Sequence, residues 1–534
     1  MNSFIKVFLS VVFVGFCSLM TLQAQEPPII PLPNNYEATG STFVLNRQTS
    51  IQIDQKEARD IERFIAYEVL KKTGISLQRN SSDTHSKIKL SLISDPSLDT
   101  EDAYRLQMDK DEIRIEAQNE TGLFYGAISL LQMIISESAN KEEISLPNYT
   151  ITDFPQYPWR GFMLDESRHF FGKEEVKKIL DEMAYLKLNR FHWHLTDEPG
   201  WRIEIKQYPL LTFIGGIGNY KNPLASAQYY SQEDIREIVA YAQERHIEVI
   251  PEIDMPGHAT AANKAYPEYS GGGTEDHPDF TFNPGKEETY AYLTNILREI
   301  AVLFPSGKVH LGGDEVSFGI QSWNEKPEIK ALMKKENLTD LKAVEHYFMR
   351  RMIDSTNTLF DQTIGWDELV DAAPPVENTL IYWWRHDQPQ QLTKALNEGY
   401  QTVLMPRIPL YLDFVQDESH QQGRRWGGAF SPLQKIYDFS PTMYIEESDF
   451  KKHEDQILGF QGNLWTEQVA SIRRLEYMIF PRITALAEAG WTSEKDRNYR
   501  NYLLRLEKTL KRYAKEDIYY FNPISKAKTP EVVD

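Results

Sequence analysis

Beyond Trp159 the chain repeats one texture, in which a short apolar run ends in polar or aromatic residues and a stretch with helically spaced apolar positions follows. Eight such runs are candidate strands, at 161–164, 190–195, 248–253, 308–311, 363–366, 380–384, 402–405 and 457–464. Amphipathic stretches such as 174–187, 231–244 and 287–304 lie between several of them. Eight strand-helix alternations predict an α/β fold, a (β/α)8 TIM barrel, rather than a doubly wound sheet, since no Gly-rich phosphate loop follows the first strand. Upstream the pattern is shorter and mixed. Strand-like runs at 43–45, 51–53, 87–92 and 113–115 alternate with helix-like ones at 58–72 and 122–135, which predicts a small α+β domain. Asp153-Phe154-Pro155-Gln156-Tyr157-Pro158, with two prolines that resist helix, marks the join. Residues 496–512 predict a helix packed on the barrel, and the last residues are expected to fray.

The N-terminus stands apart. Lys6 precedes an apolar run from Val7 to Leu22 that closes with Leu22-Gln23-Ala24. This reads as a secretory signal peptide, because the run is too short and too interrupted, by Ser10, Cys17, Ser18 and Thr21, for a membrane anchor. Bulky Phe16 before Cys17 speaks against a lipoprotein. The expected division is thus a signal peptide over 1–24, the α+β domain over 25–152 and the barrel with its C-terminal helix over 153–534. Cleavage after Ala24 would remove the single Cys, leaving no disulfide and no thiol nucleophile in a periplasmic or secreted protein. No later segment is apolar for long enough to span a bilayer. With 41% hydrophobic and 25% charged residues the chain has the composition of a folded protein, and 58 basic against 78 acidic residues, net −20, argue against a nucleic-acid partner.

A barrel gathers its active site from the C-terminal ends of its strands. Here those positions hold Asp165 and Arg168, His194 and Asp197, Glu252, Asp254 and His258, and Asp314 and Glu315. Further along come Trp366 and Asp367, Trp384, Tyr411 and Asp413, and Trp465 and Glu467. Singly, an acid after a strand is most often a helix N-cap, and Asp254 and Asp367 are read that way. As a set, aromatic faces suit the C–H faces of pyranose rings, while carboxylates and Arg suit their hydroxyls. His192, His194, His258, Asp314 and Glu315 are also metal-ligating types, but an ion would need at least three to converge among an odd majority of aromatics. No metal and no cofactor are expected.

The sharpest local signal is His310-Leu311-Gly312-Gly313-Asp314-Glu315, in which two glycines allow a tight turn before two adjacent acids. Neighbouring side chains along an extended backbone point different ways, so the two acids are expected to approach different atoms of one substrate. One would be ionised and the other a proton donor, provided their surroundings split their pKa values.

Arg160-Gly161-Phe162-Met163-Leu164-Asp165, His192-Trp193-His194-Leu195-Thr196-Asp197, Pro251-Glu252-Ile253-Asp254-Met255-Pro256-Gly257-His258, the Gly-Gly-Asp-Glu string, Trp366-Asp367-Glu368, Tyr411-Leu412-Asp413 and Leu464-Trp465-Thr466-Glu467 occur in that order. Over nearly all of the mature chain this resembles the family 20 glycoside hydrolases, the β-N-acetylhexosaminidases. The resemblance implies exo action on terminal N-acetylhexosamine with substrate-assisted retention, the sugar's own 2-acetamido oxygen serving as nucleophile. By motif, Glu315 would be the acid and base, Asp314 would hold the acetamido N–H, and Tyr411 would donate to the acetamido oxygen. Trp366, Trp384 and Trp465 would wall the pocket, and Arg168, Asp413 and Glu467 would bind hydroxyls. Trp384 rather than Trp383 is taken as the wall residue, and His258, supported by Asp197, would tune Glu315. The family commonly reads Asp-Asp-Gln-Gly-Trp where this chain has Asp197-Glu198-Pro199-Gly200-Trp201, so the loop there is expected to differ locally. The resemblance leaves GlcNAc against GalNAc open. Gln421 to Gly428 is a candidate for outer-subsite contacts.

Overall fold

The computed structural model describes residues 26–534 apart from 57, 80–85 and 139–141, so the expected signal peptide lies outside the described residues. The N-terminal part is a mixed seven-stranded sheet in the spatial order Asn35–Asn46, Glu143–Asp153, Tyr104–Met108, Glu112–Ala117, Lys87–Leu92, Ser50–Ile53 and Gln78–Arg79. Helix Glu120–Glu137 is buried without a break from Gly122 to Ile134, because it packs on the sheet and on the barrel at once. Asn119 caps it by accepting from the Gly122 N–H, and Gly122 lies so close to the sheet that a Cβ would come 2.2 Å from Ala103 O. On the other side the Gln132 amide donates to Ile30 O and Tyr185 O, which joins the two parts by hydrogen bonds.

The second part closes into a barrel of eight parallel strands. They are β1 (Trp159–Asp165), β2 (Arg190–His194), β3 (Glu248–Glu252), β4 (Lys308–His310), β5 (Gln362–Trp366), β6 (Thr379–Trp383), β7 (Gln401–Leu404) and β8 (Ile457–Leu464). All eight expected strands are present, several ending a residue sooner where a rim loop begins. Alternation sorts their side chains: Leu380 and Tyr382 of β6 join Trp159, Ile250, Ile364 and Val403 inside, while Ile381 and Trp383 face the surrounding layer. No helix among the described residues is long and apolar enough to cross a membrane.

A polar knot fastens the two parts beneath the barrel. Lys187, wholly buried, reaches Asp153 Oδ2 at 3.3 Å and the Tyr104 hydroxyl at 3.0 Å, and its ammonium lies 4.3 Å from the centre of the Trp491 ring. Trp491 Nε1 in turn donates to Asp153 at 3.0 Å. Burial pulls the Lys187 amine down to about 8 against the pull of Asp153. Helix Tyr499–Lys515 is clamped by two Arg-carboxylate pairs, Arg505 on Glu488 and Arg512 on Glu182. The final residues do not fray as expected: the Asp534 carboxylate accepts from the Ala470 and Ser471 N–H groups, and Arg474 holds Glu531. Long-range polar contacts that no local pattern reveals hold them.

Asp153→Ala strands a buried cation at the domain join, and is expected to cost about 3–5 kcal/mol, read as a lowered urea midpoint of the purified chain.

Candidate active site

The rim loop after β4 is shaped by backbone conformation rather than by strand geometry. Gly312 and Gly313 have φ of 70° and 93°, and Glu315 itself is left-handed at 51°. The two acids therefore diverge because the chain turns, not because an extended backbone alternates them, which corrects the expectation. A Cβ on Gly312 would fall 1.8 Å from Asp254 Oδ1, so the turn rests directly on that carboxyl. Asp254 caps no helix, contrary to expectation: the helix that follows, Thr260–Ala265, has Ala259 at its N-cap, and Asp254 is buried beside the turn. Burial and the neighbouring Asp314 push its carboxyl well above the ordinary range. Asp367 opens a short 3-10 helix but makes no side-chain cap; Arg385 Nε donates to both its oxygens at 3.1 Å.

Asp314 is buried, whereas the Glu315 side chain is 37% exposed. His258 Nε2 stands 3.6 Å from Asp314 Oδ2 and 3.6 Å from Glu315 Oε2. Its Nδ1 meets Asp197 Oδ1 at 2.9 Å, and Asp197 Oδ2 receives Arg168 at 2.7 Å and His194 Nε2 at 2.9 Å. Asp197 thus stands behind His258 and Arg168 with both oxygens occupied. Burial works against its charge, yet Arg168 and His258 hold its carboxyl well below the usual range. Burial likewise opposes a charge on His258, but Asp197 and Asp314 keep it well above an ordinary imidazole. The altered motif forms a small hairpin, 196–197 against 200–201, with Glu198 and Pro199 at its tip. Arg202, wholly buried just after it, donates to the carbonyls of Glu166, Ser167, Gly216, Gln228 and Gly218, bracing the loop that carries Arg168.

Beside the acids, four rings form a closed box. Trp366 lies 6.4 Å from Trp384, Trp384 stacks on Tyr411 at 6.4 Å, Tyr411 is 6.1 Å from Trp465, and Trp465 returns to Trp366 at 6.0 Å. Trp384 belongs to this box, with Nε1 donating to Glu368, while Trp383 is packed against Tyr444 in the outer layer. Asp413 and Glu467 lie together under Arg424, whose Nε is 3.0 Å from Asp413 Oδ2 and whose Nη2 is 2.9 Å from Glu467. Neither Asp413 oxygen has an aligned donor, and burial, opposed by Arg424, pushes that carboxyl up to about 7. All the expected site residues therefore converge on one mouth, Asp197 from behind.

Arg424, Glu368, His194 and Glu252 were given no role by motif. The alternation His192-Trp193-His194 on a strand does place both imidazoles on one face, which is the signal that reaches His194. Arg424 lies in the Gln421–Gly428 stretch, the candidate for outer-subsite contacts, but it reaches Asp413 and Glu467 instead, and no motif there singles it out. Several groups of three His, Asp or Glu side chains bring donor atoms within 4.8 Å of one another, His194, Asp197 and Asp254 among them. Both ring nitrogens of His194 already face carboxylates, however, which leaves no lone pair for a metal in that group.

A parallel barrel whose mouth joins two adjacent acids to a box of aromatic rings has the make-up of a carbohydrate-cleaving enzyme. The sequence matches the model of the glycosyl hydrolase family 20 catalytic domain over residues 157–494, and that of the family's domain 2 over 26–154. A β-hexosaminidase of Vibrio furnissii is 35% identical, covering 86% of this chain and 76% of the relative. One of Porphyromonas gingivalis is 32% identical, over 95% of this chain and 67% of the relative. Among solved structures, the exo-β-N-acetylglucosaminidase of Vibrio harveyi in complex with N-acetylglucosamine matches with a TM-score of 0.85 at 32% identity, covering 94% of this chain and 79% of that one. The β-N-acetylhexosaminidase of Bacteroides fragilis matches at 0.79 and 29%, covering 95% and 99%. The chain belongs to glycoside hydrolase family 20 and is a glycoside hydrolase.

Gly312→Ala adds a methyl group against Asp254 at a left-handed position. Hydrolytic turnover is expected to fall at least tenfold, with a loss of about 1–3 kcal/mol in stability, both read on the same preparation by initial rates and denaturation.

Proposed function

We propose that the chain is an exo-acting β-N-acetylhexosaminidase that removes terminal non-reducing β-linked N-acetylhexosamine from oligosaccharides or glycoconjugates. The observation that carries this reading is Asp314 Oδ1, a buried carboxylate oxygen with no hydrogen-bond partner, next to the four-ring box and to Glu315. A buried acceptor left open calls for a donor from the ligand, and the N–H of a 2-acetamido group held among the aromatic rings supplies one. The acetyl methyl would lie against Trp366, Trp384 and Trp465, with its oxygen accepting from the Tyr411 hydroxyl. Arg168, Asp413 and Glu467 would take the ring hydroxyls, the two carboxylates exchanging Arg424 for sugar donors.

In this reading the acetamido oxygen attacks the anomeric carbon as Glu315 gives its proton to the departing glycosidic oxygen. Asp314 faces the positive charge that develops on the cyclic intermediate. Glu315, now a carboxylate, takes a proton from the water that opens the ring from the side the leaving group vacated, and configuration is retained. No enzyme nucleophile is used. The 1–24 segment supports an exported enzyme, periplasmic or secreted.

Turnover of nitrophenyl β-GlcNAc but not of nitrophenyl β-glucoside, unchanged by EDTA, is the expected result for the purified mature chain. Equal turnover of both sugars would point to an enzyme nucleophile instead, and loss of activity in chelator to a metal. Asp314→Asn should lower kcat by about 100-fold or more, as removal of a group that meets charge in the transition state does. Burial, opposed by His258 and aided by Glu315, pushes Asp314 up to about 8. A carboxyl is protonated below its pKa, and a protonated Asp314 cannot stabilise positive charge. The acidic limb of kcat/KM should therefore lie above the ordinary aspartate value of 3.8. A limb at or below that value would contradict the assignment.

A further inference from the structure

We propose that His194 and Glu252 are positioning residues for the acid pair, forming with Asp197 and His258 a buried line of alternating charge in which His194 is held doubly protonated. The line begins inside the barrel. Glu252, wholly buried at the end of β3, accepts from Trp366 Nε1 at 3.0 Å through one oxygen, which also lies 3.0 Å from His310 Nδ1. Its other oxygen meets His194 Nδ1 at 2.5 Å and lies 2.9 Å from His192 Nε2. His194, also wholly buried, presents Nε2 to Asp197 Oδ2 at 2.9 Å. From there the line continues through His258 to Asp314 and Glu315.

A neutral imidazole has one N–H and one lone pair, so it can serve only one of two flanking carboxylates and repels the other. Glu252 and Asp197 accept from Trp366 and Arg168 and are held well below the usual carboxyl range, so both are carboxylates and short contacts on both sides are favourable when both nitrogens carry protons; charge-assisted bonds of this kind are the strong ones. The same direction follows from the charges: burial alone would lower His194, but Glu252 and Asp197 hold it well above an ordinary imidazole. The groups facing it are Glu252 on β3, Asp197 beyond β2 and Asp254 beyond β3, with His192 and His310 reached through Glu252, and Arg168 and His258 through Asp197. The Trp465 ring meets it edge-on at 4.9 Å.

The consequence is mechanical as well as electrostatic. Asp197 sits on a short hairpin outside the barrel wall, and His194 ties that hairpin to Glu252 within it. Because Glu252 also anchors the Trp366 indole, one carboxylate sets both a wall of the pocket and the imidazolium beside the acids. This inference rests on the hexosaminidase reading for its kinetic arm only.

Neutron diffraction from deuterated wild-type crystals at neutral pH tests it without any assay: deuterons on both ring nitrogens of His194 are expected, and one bare nitrogen overturns the proposal. In the kinetic arm, His194→Gln removes a cation from beside carboxylates. It should lower kcat at least tenfold, with KM within threefold, and move the acidic limb of kcat/KM upward by half a pH unit or more. Adding Glu252→Gln to that variant removes the matching anion and should return the limb toward its wild-type position. A limb that stays in place in His194→Gln, or one that the second substitution does not move back, would mean a merely structural role. Wild-type turnover of nitrophenyl β-GlcNAc, measured alongside, tells failure of the enzyme reading from failure of this one. If the variants do not fold, the neutron map decides alone.

Discussion

Glu252 lies at the mouth of the barrel, out of reach of water, where an unpaired carboxylate would cost several kcal/mol. Its pairing with His194 meets that cost and passes the requirement outward. His194 then needs Asp197, which draws Arg168 and His258, and His258 ends beside Asp314 and Glu315. Burial works against the charges on Glu252, His194, Asp197 and His258, and each of these is sustained by its neighbours. The acids at the end inherit a fixed and charged surrounding, which is what electrostatic preorganisation asks of a scaffold. The same Glu252 holds the Trp366 indole, so polar and aromatic halves of the pocket share an anchor.

The scaffold around this line is built to leave it little freedom. The barrel strands bring its members together in space from separate stretches of chain, and β3 pairs with β2 so that Glu252 stands level with His194. Arg202 braces the Arg168 loop through backbone carbonyls, and the left-handed Gly312-Gly313 turn lies against Asp254. Below, the Lys187, Asp153 and Trp491 knot ties the N-terminal sheet to the barrel floor, and helix Glu120–Glu137 is buried between the two. The N-terminal part thus acts as a buttress on the face opposite the site.

Much of this was legible in the residues themselves. Strand alternation located all eight barrel strands to within a residue or two, because a strand between two packed layers must be apolar on both faces and must end where polar rim residues begin. The rim acids and aromatics followed from that, since position at a strand's C-terminal end is a local property. The misreadings share one cause. Asp254 and Asp367 look like helix caps in their own neighbourhoods, yet one is buried beside a turn from β4 and the other pairs with Arg385. The chain end looks free, yet Arg474 and the 470–471 amides hold it.

What the sequence by itself determined is the order of strands, the chemistry collected at their ends, and the adjacent acids behind two glycines. These depend on side-chain period and on neighbours in the chain. Tertiary structure alone decided which partner each buried charge has: His194 between two carboxylates, and Arg424 across Asp413 and Glu467. Electrostatic pairing in a buried site acts over a few ångströms of space regardless of distance along the chain. Its outcome is set only when the barrel closes.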